Sequence, residues 1–262
     1  MIWLLVMLLA QISDTHITVP GASGKNSEIK LRALENCVEN INYLNPLPDA
    51  VIHTGDLSHN GTLDELELVK SYLKKLKAPY FVTPGNRDCN STMLNVFADC
   101  IGNKNVSNNI TYAVKKFPIN LVSFDTTSPD DNLGVLSFEK ISMLDNILSE
   151  NQKTPTILFS HHPLFLLPDT FNPSVECRSE KSIKLFKEII YRHPQIVAFF
   201  CGHSHKPLRQ RLGFFDANIA PPLCDLLNNN SCDSGRALLG SYQLHLFDDA
   251  YQFITEEKIL DH

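Results

Sequence analysis

Residues 3–16 have the sequence WLLVMLLAQISDTH. A long apolar run passes without a break into Asp14 and His16. Such a run is typical of a central β-strand that is buried on both faces. We interpret it as a strand, not as a secretory signal peptide, because no basic residue precedes it and because cleavage would separate Asp14 from its strand.

The same arrangement recurs along the chain, which predicts the fold. Four more apolar segments each end at a polar motif, in the order TGDL (54–57), PGNRD (84–88), SHHP (160–163) and CGHSH (201–205). Stretches with helical spacing of apolar residues separate them, at about 28–44, 62–76, 138–148 and 183–190. Strands that alternate with helices predict an α/β domain. We find no linker or repeat and therefore predict a single domain over residues 1–262.

Local signals refine this prediction at three places. Thr62 followed by Glu65 predicts a capping box at a helix start, and Ser137 predicts another helix N-cap. From about residue 208 onward apolar and polar residues alternate, as around Tyr242 and Leu244, which predicts antiparallel hairpins.

In an open α/β sheet the functional groups gather beyond the carboxyl ends of the strands. The polar side chains at these ends, which we expect to meet at one sheet edge, are Asp14, His16, Asp56, Asn86, His161, His203 and His205. Mixed carboxylate, amide and imidazole donors suit transition metals such as Mn, Fe, Zn, Co or Ni. Seven ligands are too many for one ion that keeps an open position. We therefore predict two ions that share a carboxylate, with a hydroxide between them as the nucleophile for phosphoryl transfer.

These motifs resemble a known family. Asp14-x-His16, Gly55-Asp56, Gly85-Asn86, His161 and Gly202-His203-x-His205 occur in the order found in the calcineurin-like metallophosphoesterases, and the resemblance spans residues 14–205. The chain is most similar to the bacterial cyclic-AMP and glycerophosphodiester phosphodiesterases, in QISDTH (11–16), TGDLSHNG (54–61) and GVLSFEKISMLDNIL (134–148). The resemblance implies a four-layered α/β/β/α sandwich and hydrolysis of a small phosphodiester such as 3′,5′-cyclic AMP.

The resemblance also assigns roles to individual residues. It implies one ion held by Asp14, His16 and His205, a second held by Asn86, His161 and His203, and Asp56 as the bridge. His162, beside His161, is expected to support that ligand or to face the substrate. The resulting catalytic residues are Asp56, Asn86, Arg87 and His203, and the resulting substrate-binding residues are Asn86, Arg87 and His162.

Arg87 departs from the family pattern. The family usually has a histidine here, in G-N-H-[D/E], which contacts the phosphate and can protonate the leaving group. Arginine stays charged and is a poor general acid, but it binds phosphoryl oxygens through forked hydrogen bonds. We predict that Arg87 stabilises charge, while the leaving group is protonated by water or needs little protonation. The alternative is a structural ion pair with Asp88 or another nearby acid.

Two other functions remain open on the sequence alone. The GNRD loop resembles that of the bacterial UDP-diacylglucosamine pyrophosphatases, so a nucleotide-sugar or lipid-precursor pyrophosphatase is one alternative. The apolar stretch PLFLLPDTFNP (163–173) could line a pocket for such a lipid. The other is a non-catalytic scaffold, like the retromer subunit that resembles these enzymes, although the retention of all seven ligands argues against it.

Composition bounds the partners and the compartment. The formal net charge of −6 does not favour nucleic acid, so we expect a small-molecule substrate. Seven cysteines without a C-x-x-C pair predict reduced thiols and a cytoplasmic protein. The alternative is pairing of Cys89 with Cys100, or of Cys224 with Cys232, in an oxidising compartment. We expect no membrane span, and the resemblance implies a homodimer.

Overall fold

The computed structural model describes residues 5–21, 25–101, 108–128, 134–168, 180–223 and 240–260. One sheet draws its strands from both ends of the chain, namely β1 (Met7–Ile12), β2 (Ala50–His53), β3 (Tyr80–Val82), β10 (Ser241–Phe247) and β11 (Phe253–Ile259). Their order is β11-β10-β1-β2-β3. β1 is parallel to β2 and antiparallel to β10, so the first apolar run lies in the middle of this sheet.

The middle of the chain forms a second sheet. Its strands are β4 (Tyr112–Val114), β5 (Asn120–Ser123), β6 (Thr156–Phe159), β7 (Ile196–Cys201), β8 (Leu208–Leu212) and β9 (Phe215–Ile219). They lie in the order β4-β5-β6-β7-β9-β8. β5, β6 and β7 are parallel, whereas β8 pairs antiparallel with β9. The predicted antiparallel character of the C-terminal part is therefore confirmed in the β8–β9 and β10–β11 pairs.

Six helices accompany the two sheets in the described residues. They are α1 (Lys25–Tyr43), α2 (Leu63–Leu73), α3 (Asn90–Val96), α4 (Ala98–Ile101), α5 (Phe138–Ser149) and α6 (Glu180–Arg192). The caps predicted for α2 and α5 are present, since the hydroxyls of Thr62 and Ser137 accept hydrogen bonds from backbone N–H groups three residues on.

Successive side chains of the second sheet point to opposite faces, so each face packs against a different hydrophobic core. In β6, Phe159 belongs to a core shared with β1 and α1, whereas Leu158 belongs to a core shared with α5 and α6. In β7, Phe200 and Phe199 divide in the same way. The two sheets therefore pack face to face with helices on both outer sides. This arrangement confirms the predicted four-layered α/β/β/α sandwich.

The structure bears on three further parts of the sequence: the segment after the GNRD motif, the apolar stretch 163–173 and the cysteines. No helix was predicted over the α3–α4 segment, yet Met93, Val96 and Ile101 are buried along it. In the stretch 163–173, Phe165 and Leu167 pack into the core, and residues 169–173 lie outside the described part of the chain. Cys89 and Cys100 are free thiols, as are the other described cysteines, whereas Cys224 and Cys232 lie outside the described residues.

No helix in the described ranges is at once long enough and apolar enough to span a membrane.

Candidate metal centre

The predicted ligands come together, but not at a single sheet edge. Asp14, Asp56 and Asn86 follow β1, β2 and β3 of the first sheet, whereas His161 and His203 follow β6 and β7 of the second. The expectation of one edge is therefore wrong. Because the two sheets pack face to face, the ends of their parallel strands can meet across the sandwich.

One cluster of donors contains Asp14, His16 and His205, whose ligand atoms all lie within 4.8 Å of one another. His205 Nε2 is 3.3 Å from Asp14 Oδ1 and 3.2 Å from His16 Nε2. Asp14 Oδ1 is buried without a hydrogen-bond partner. A buried carboxylate oxygen without a donor is costly, so this geometry fits a cation.

A second cluster contains Asn86, His161 and His203. His161 Nε2 is 3.0 Å from Asn86 Oδ1 and 3.1 Å from His203 Nδ1. His161 Nδ1 donates to the carbonyl oxygen of Thr54 at 2.8 Å, because a carbonyl can only accept. That bond fixes the tautomer and directs the Nε2 lone pair at the cluster, which is the usual arrangement of a metal-binding histidine.

Asp56 lies between the two clusters. Its Oδ2 is 3.6 Å from His16 Nε2, and its Oδ1 is 3.5 Å from His161 Nε2. The backbone N–H of Arg87 donates to Oδ1 at 2.8 Å and holds the carboxylate in this orientation. One carboxylate oxygen thus faces each cluster, as the predicted bridge requires.

The backbone at these positions is strained. The non-glycine residues among those described with a positive φ include five predicted ligands: Asp14 (52°), His16 (44°), Asp56 (51°), His203 (67°) and His205 (55°). Left-handed backbone is uncommon for non-glycine residues, although Asp and His adopt it more often than most, and it concentrates at functional sites. The turns therefore hold these side chains inward at a cost in stability.

Glycines permit the close approach of the turns. A Cβ on Gly85 would lie 2.2 Å from Asp56 Oδ1, and one on Gly202 would lie 2.0 Å from Ser13 Oγ. Neither position can accept a larger residue without displacing a predicted ligand or its neighbour. The glycines of the GN and GHSH motifs therefore serve packing at the site.

Burial sets the charge state of the donors. It lowers the pKa of both His16 and His203 to about 3, which keeps these imidazoles neutral. It raises the pKa of Asp56 to about 7. Burial also opposes ionisation of Asp14, but the close approach of His205 Nε2 and the nearby imidazoles hold its pKa well below its usual range. Neutral imidazoles beside carboxylates are what a metal ion binds, so the residues present fit two ions.

The two other predicted site residues differ in exposure. Arg87 is exposed, and no ion pair among the described residues includes its guanidinium. His162 is fully buried, with its ring 4.5 Å from that of His203 and its Nδ1 2.9 Å from Thr126 Oγ1. This burial favours support of the neighbouring ligands, the first of the two roles predicted for His162.

Several supporting residues were not predicted from the sequence. Ser13 Oγ donates to Asp14 Oδ2 at 2.5 Å. The Asp88 carboxylate accepts hydrogen bonds from the backbone of Leu57, Ser58 and Gly85, so it joins the loops after β2 and β3 and is not paired with Arg87. Asp88 stands inside the GNRD motif, but nothing in the sequence shows which donors it would meet.

Comparisons with known proteins agree with this geometry. The family description "calcineurin-like phosphoesterase" matches residues 7–207. The chain is 31% identical over 204 residues to a probable glycerophosphodiester phosphodiesterase of Arcobacter nitrofigilis, covering 76% of this chain and 72% of the relative. It is 24% identical over 246 residues to a 3′,5′-cyclic adenosine monophosphate phosphodiesterase of Pseudomonas aeruginosa, covering 93% of this chain and 86% of that protein.

The fold has solved counterparts as well. A dimetal phosphatase from Danio rerio superposes with a TM-score of 0.71 at 12% identity, covering 98% of this chain and 99% of the other. At this identity the similarity concerns the fold alone.

Proposed function

Since the chain belongs to the calcineurin-like phosphoesterases, we propose that it is a dinuclear metal-dependent phosphodiesterase that hydrolyses a small phosphodiester. The observation that carries this proposal is the position of Asp56, which has one carboxylate oxygen toward each of two donor clusters. A single-ion site has no need of two clusters that share a carboxylate. The names of the relatives, which include phosphodiesterases acting on glycerophosphodiesters and on cyclic AMP, support the reaction class.

In this proposal some residues of the chain would bind the two ions, and others would orient those ligands. Two bound ions supply Lewis acidity, which activates water and neutralises charge on the reacting phosphate. Asp14, His16 and His205 would hold one ion, Asn86, His161 and His203 the other, and Asp56 both. The Thr54 carbonyl orients His161, and the backbone N–H of Arg87 orients Asp56.

Arg87 has the exposure needed to contact a substrate. Its guanidinium can form forked hydrogen bonds to phosphoryl oxygens and offset charge that develops in the transition state. It cannot deliver a proton at neutral pH. We therefore propose that water protonates the leaving group, and that esters with acidic leaving groups react best.

The pyrophosphatase remains a second candidate because of one observation. Asp88 is bonded to the backbone, which leaves Arg87 available for a second phosphate. The scaffold hypothesis has less support, since all seven predicted ligands are retained and converge.

The test compares three substrates on the purified, Mn-loaded protein: bis(p-nitrophenyl) phosphate, 3′,5′-cyclic AMP and a nucleotide-sugar diphosphate. We expect turnover of the phosphodiesters. Asp56→Asn should lower turnover more than about 100-fold, because loss of a bridging ligand is more damaging than loss of a residue that only supports a ligand. The matched control is Asp64→Asn, on the exposed side of α2, which should behave as wild type.

The outcomes separate the candidates. Turnover of the pyrophosphate alone would favour the second candidate, and no turnover with metal bound would favour the scaffold. Activity in Asp56→Asn equal to wild type would contradict the dinuclear site.

The identity of the metals, the oligomeric state and the cellular location also remain predictions. The donor set does not choose among Mn, Fe, Zn, Co and Ni, and metal analysis of the protein purified from cells would decide. The homodimer and the cytoplasmic location stay predictions, which sedimentation and cell fractionation would test.

A further inference from the structure

His59 is a histidine beside the metal centre that belongs to neither cluster of ligands. It lies three residues after Asp56, in the loop between β2 and α2. Its ring centroid is 6.1 Å from that of the ligand His16, and the two ring planes are 73° apart. We propose that the His59 imidazole binds the substrate and donates a hydrogen bond to a phosphoryl oxygen, next to the guanidinium of Arg87. This inference rests on the proposed function, because it assumes that a phosphate ester reacts at the two ions.

The loop that carries His59 is anchored next to the predicted ligands. The backbone N–H of His59 donates to the carbonyl oxygen of Ile17 at 3.0 Å, and Ser58 forms a parallel bridge with Ile17. Ile17 directly follows the ligand His16. These contacts hold the His59 ring on the His16 side of the centre.

The same loop packs against the loop of Arg87. A Cβ on Gly61 would lie 3.0 Å from the carbonyl oxygen of Arg87 and 2.9 Å from the backbone nitrogen of Cys89, so the two backbones approach closely. The pKa of His59 is lowered first by burial, and then by the positive charges of Lys30 and Arg87. His59 and Arg87 therefore border the same part of the centre, from two adjoining loops.

The half-buried ring of His59 is available to a ligand. It makes no hydrogen bond within the described residues, and its Nδ1 is buried without a partner. The other described histidines outside the predicted ligand set each bond a protein group through the ring, namely His53, His162, His193 and His245. Whichever nitrogen carries the proton, a neutral imidazole keeps one N–H to donate.

Donors on two adjoining loops suit the chemistry of a phosphate ester. Arg87 can offer a forked pair of N–H groups to the phosphoryl oxygens, and His59 can offer one more. Donors that are fixed before the reaction stabilise charge that develops in the transition state, and the loss of one costs about 10²–10³ in kcat at well-shielded sites. Because His59 is half-buried, we expect an effect of about 10–100-fold here.

The test compares His59→Leu with His59→Gln. Leucine removes the N–H, whereas glutamine can place an amide N–H near the position of the imidazole Nε2. We would measure kcat and KM of the Mn-loaded protein for bis(p-nitrophenyl) phosphate, and the affinity for inorganic phosphate by titration calorimetry. His59→Leu should lower kcat about 10–100-fold and phosphate affinity about tenfold, and His59→Gln should recover most of both. His59→Ala replaces the leucine variant if that protein does not fold.

Arg87→Gln, made alone and together with His59→Leu, tests whether the two residues bind the same group. Residues that share a partner have non-additive effects, so His59→Leu should cost less in the Arg87→Gln protein than in the wild type. Asn60→Leu is the control within the same loop. Asn60 Nδ2 donates to the Glu65 carboxylate of α2 at 2.7 Å, so this change should lower stability and leave kcat unchanged.

The outcomes separate this inference from the proposed function. Folded His59→Leu protein with wild-type kcat and phosphate affinity would overturn the assignment. Loss of bound manganese from His59→Leu would also overturn it, because His59 would then act through the ions and not on the substrate. An equal loss of kcat in Asn60→Leu would assign the effect to the loop instead. Wild-type protein that binds phosphate through His59 but hydrolyses no phosphate ester would remove the proposed function and keep this contact.

Discussion

Arg87 is the residue at which this chain departs most clearly from the metallophosphoesterase motif. Its backbone and side chain serve different purposes. The N–H fixes Asp56, the predicted bridge, through a hydrogen bond of 2.8 Å, which any residue except proline could provide. The guanidinium is exposed and has no ion pair within the described part of the chain. Substitution should therefore alter chemistry with little effect on the fold.

Arg87→His should restore a proton donor at this position. We expect a fold of unchanged stability, retained turnover of bis(p-nitrophenyl) phosphate, and hydrolysis of diesters with basic leaving groups that is about 10²-fold faster. The measurement is the dependence of rate on leaving-group pKa, with Arg87→Gln as the control that removes the charge without adding an acid. A folded Arg87→His protein without activity would mean that the arginine has a different role.

At the scale of elements, the strand ends were predictable and the supporting contacts were not. Each ligand follows an apolar run, so its place at a strand end could be predicted from the sequence. The division of the strands between two sheets depends on long-range pairing, which no local pattern encodes. The predicted capping box at the start of α2 is likewise only partly confirmed. Thr62 Oγ1 accepts from Glu65 N as predicted, but the Glu65 carboxylate bonds Asn60 instead of returning to Thr62.

The absence of α3 and α4 from the sequence prediction has a different cause. The segment directly follows the GNRD motif, and we predicted no helix there. Met93, Val96 and Ile101 are buried in these two helices, and Phe97 is buried between them. Met93, Phe97 and Ile101 recur at every fourth residue. That spacing is present in the sequence and could have predicted a helix.

The turn after β7 should be intolerant of any side chain at Gly202. A Cβ there would lie 2.0 Å from Ser13 Oγ and 2.5 Å from Asp14 Oδ2, so Gly202→Ala must displace one of them. We expect a loss of about 1–3 kcal/mol in the free energy of unfolding, as in other overpacked sites. Manganese affinity, measured by titration calorimetry, should fall by about 10–100-fold.

Gly213→Ala is the comparison for this turn. Nothing lies within 4 Å of a Cβ at Gly213, and only its φ of +63° opposes a side chain. This variant should lose about 1–2 kcal/mol and keep its metal affinity. Equal metal affinities for the two variants would contradict the packing role assigned to Gly202.

At the scale of the whole molecule, a buried series of hydrogen bonds connects strand β10 to the candidate metal centre. His245 Nε2 donates to Gln11 Oε1 (3.0 Å), and Gln11 Nε2 donates to Thr54 Oγ1 (3.0 Å). Thr54 Oγ1 donates to Ser13 Oγ (2.8 Å), which donates to Asp14 Oδ2. Each group donates to the next, and the last hydrogen bond ends on the Asp14 carboxylate. The chain therefore satisfies polar groups inside the sandwich and fixes a predicted ligand from behind.

His245, the first donor in this series of hydrogen bonds, makes the free energy of unfolding depend on pH. Burial lowers the pKa of His245 to about 3, and its Nδ1 lies 2.9 Å from the Thr255 hydroxyl, whose proton it can accept when neutral. The unfolded chain has a histidine pKa near its ordinary value of about 6.5. Stability from a neutral His245 is therefore complete above about pH 6.5. It declines by about 1.4 kcal/mol per pH unit as the pH falls toward 3, because the unfolded state binds the proton first.

His245→Gln should remove this part of the pH dependence. Glutamine can still donate to Gln11 and accept from Thr255, so the variant should fold, with a modest loss at about pH 8 from the ring contact with Phe200. The measurement is urea unfolding of both proteins in EDTA between about pH 8 and about pH 4. Below about pH 6 the wild type should lose about 1.4 kcal/mol per pH unit more than the variant. Parallel curves would mean that His245 is already protonated in the folded protein, and the direction of donation along the buried chain would then have to be reassigned.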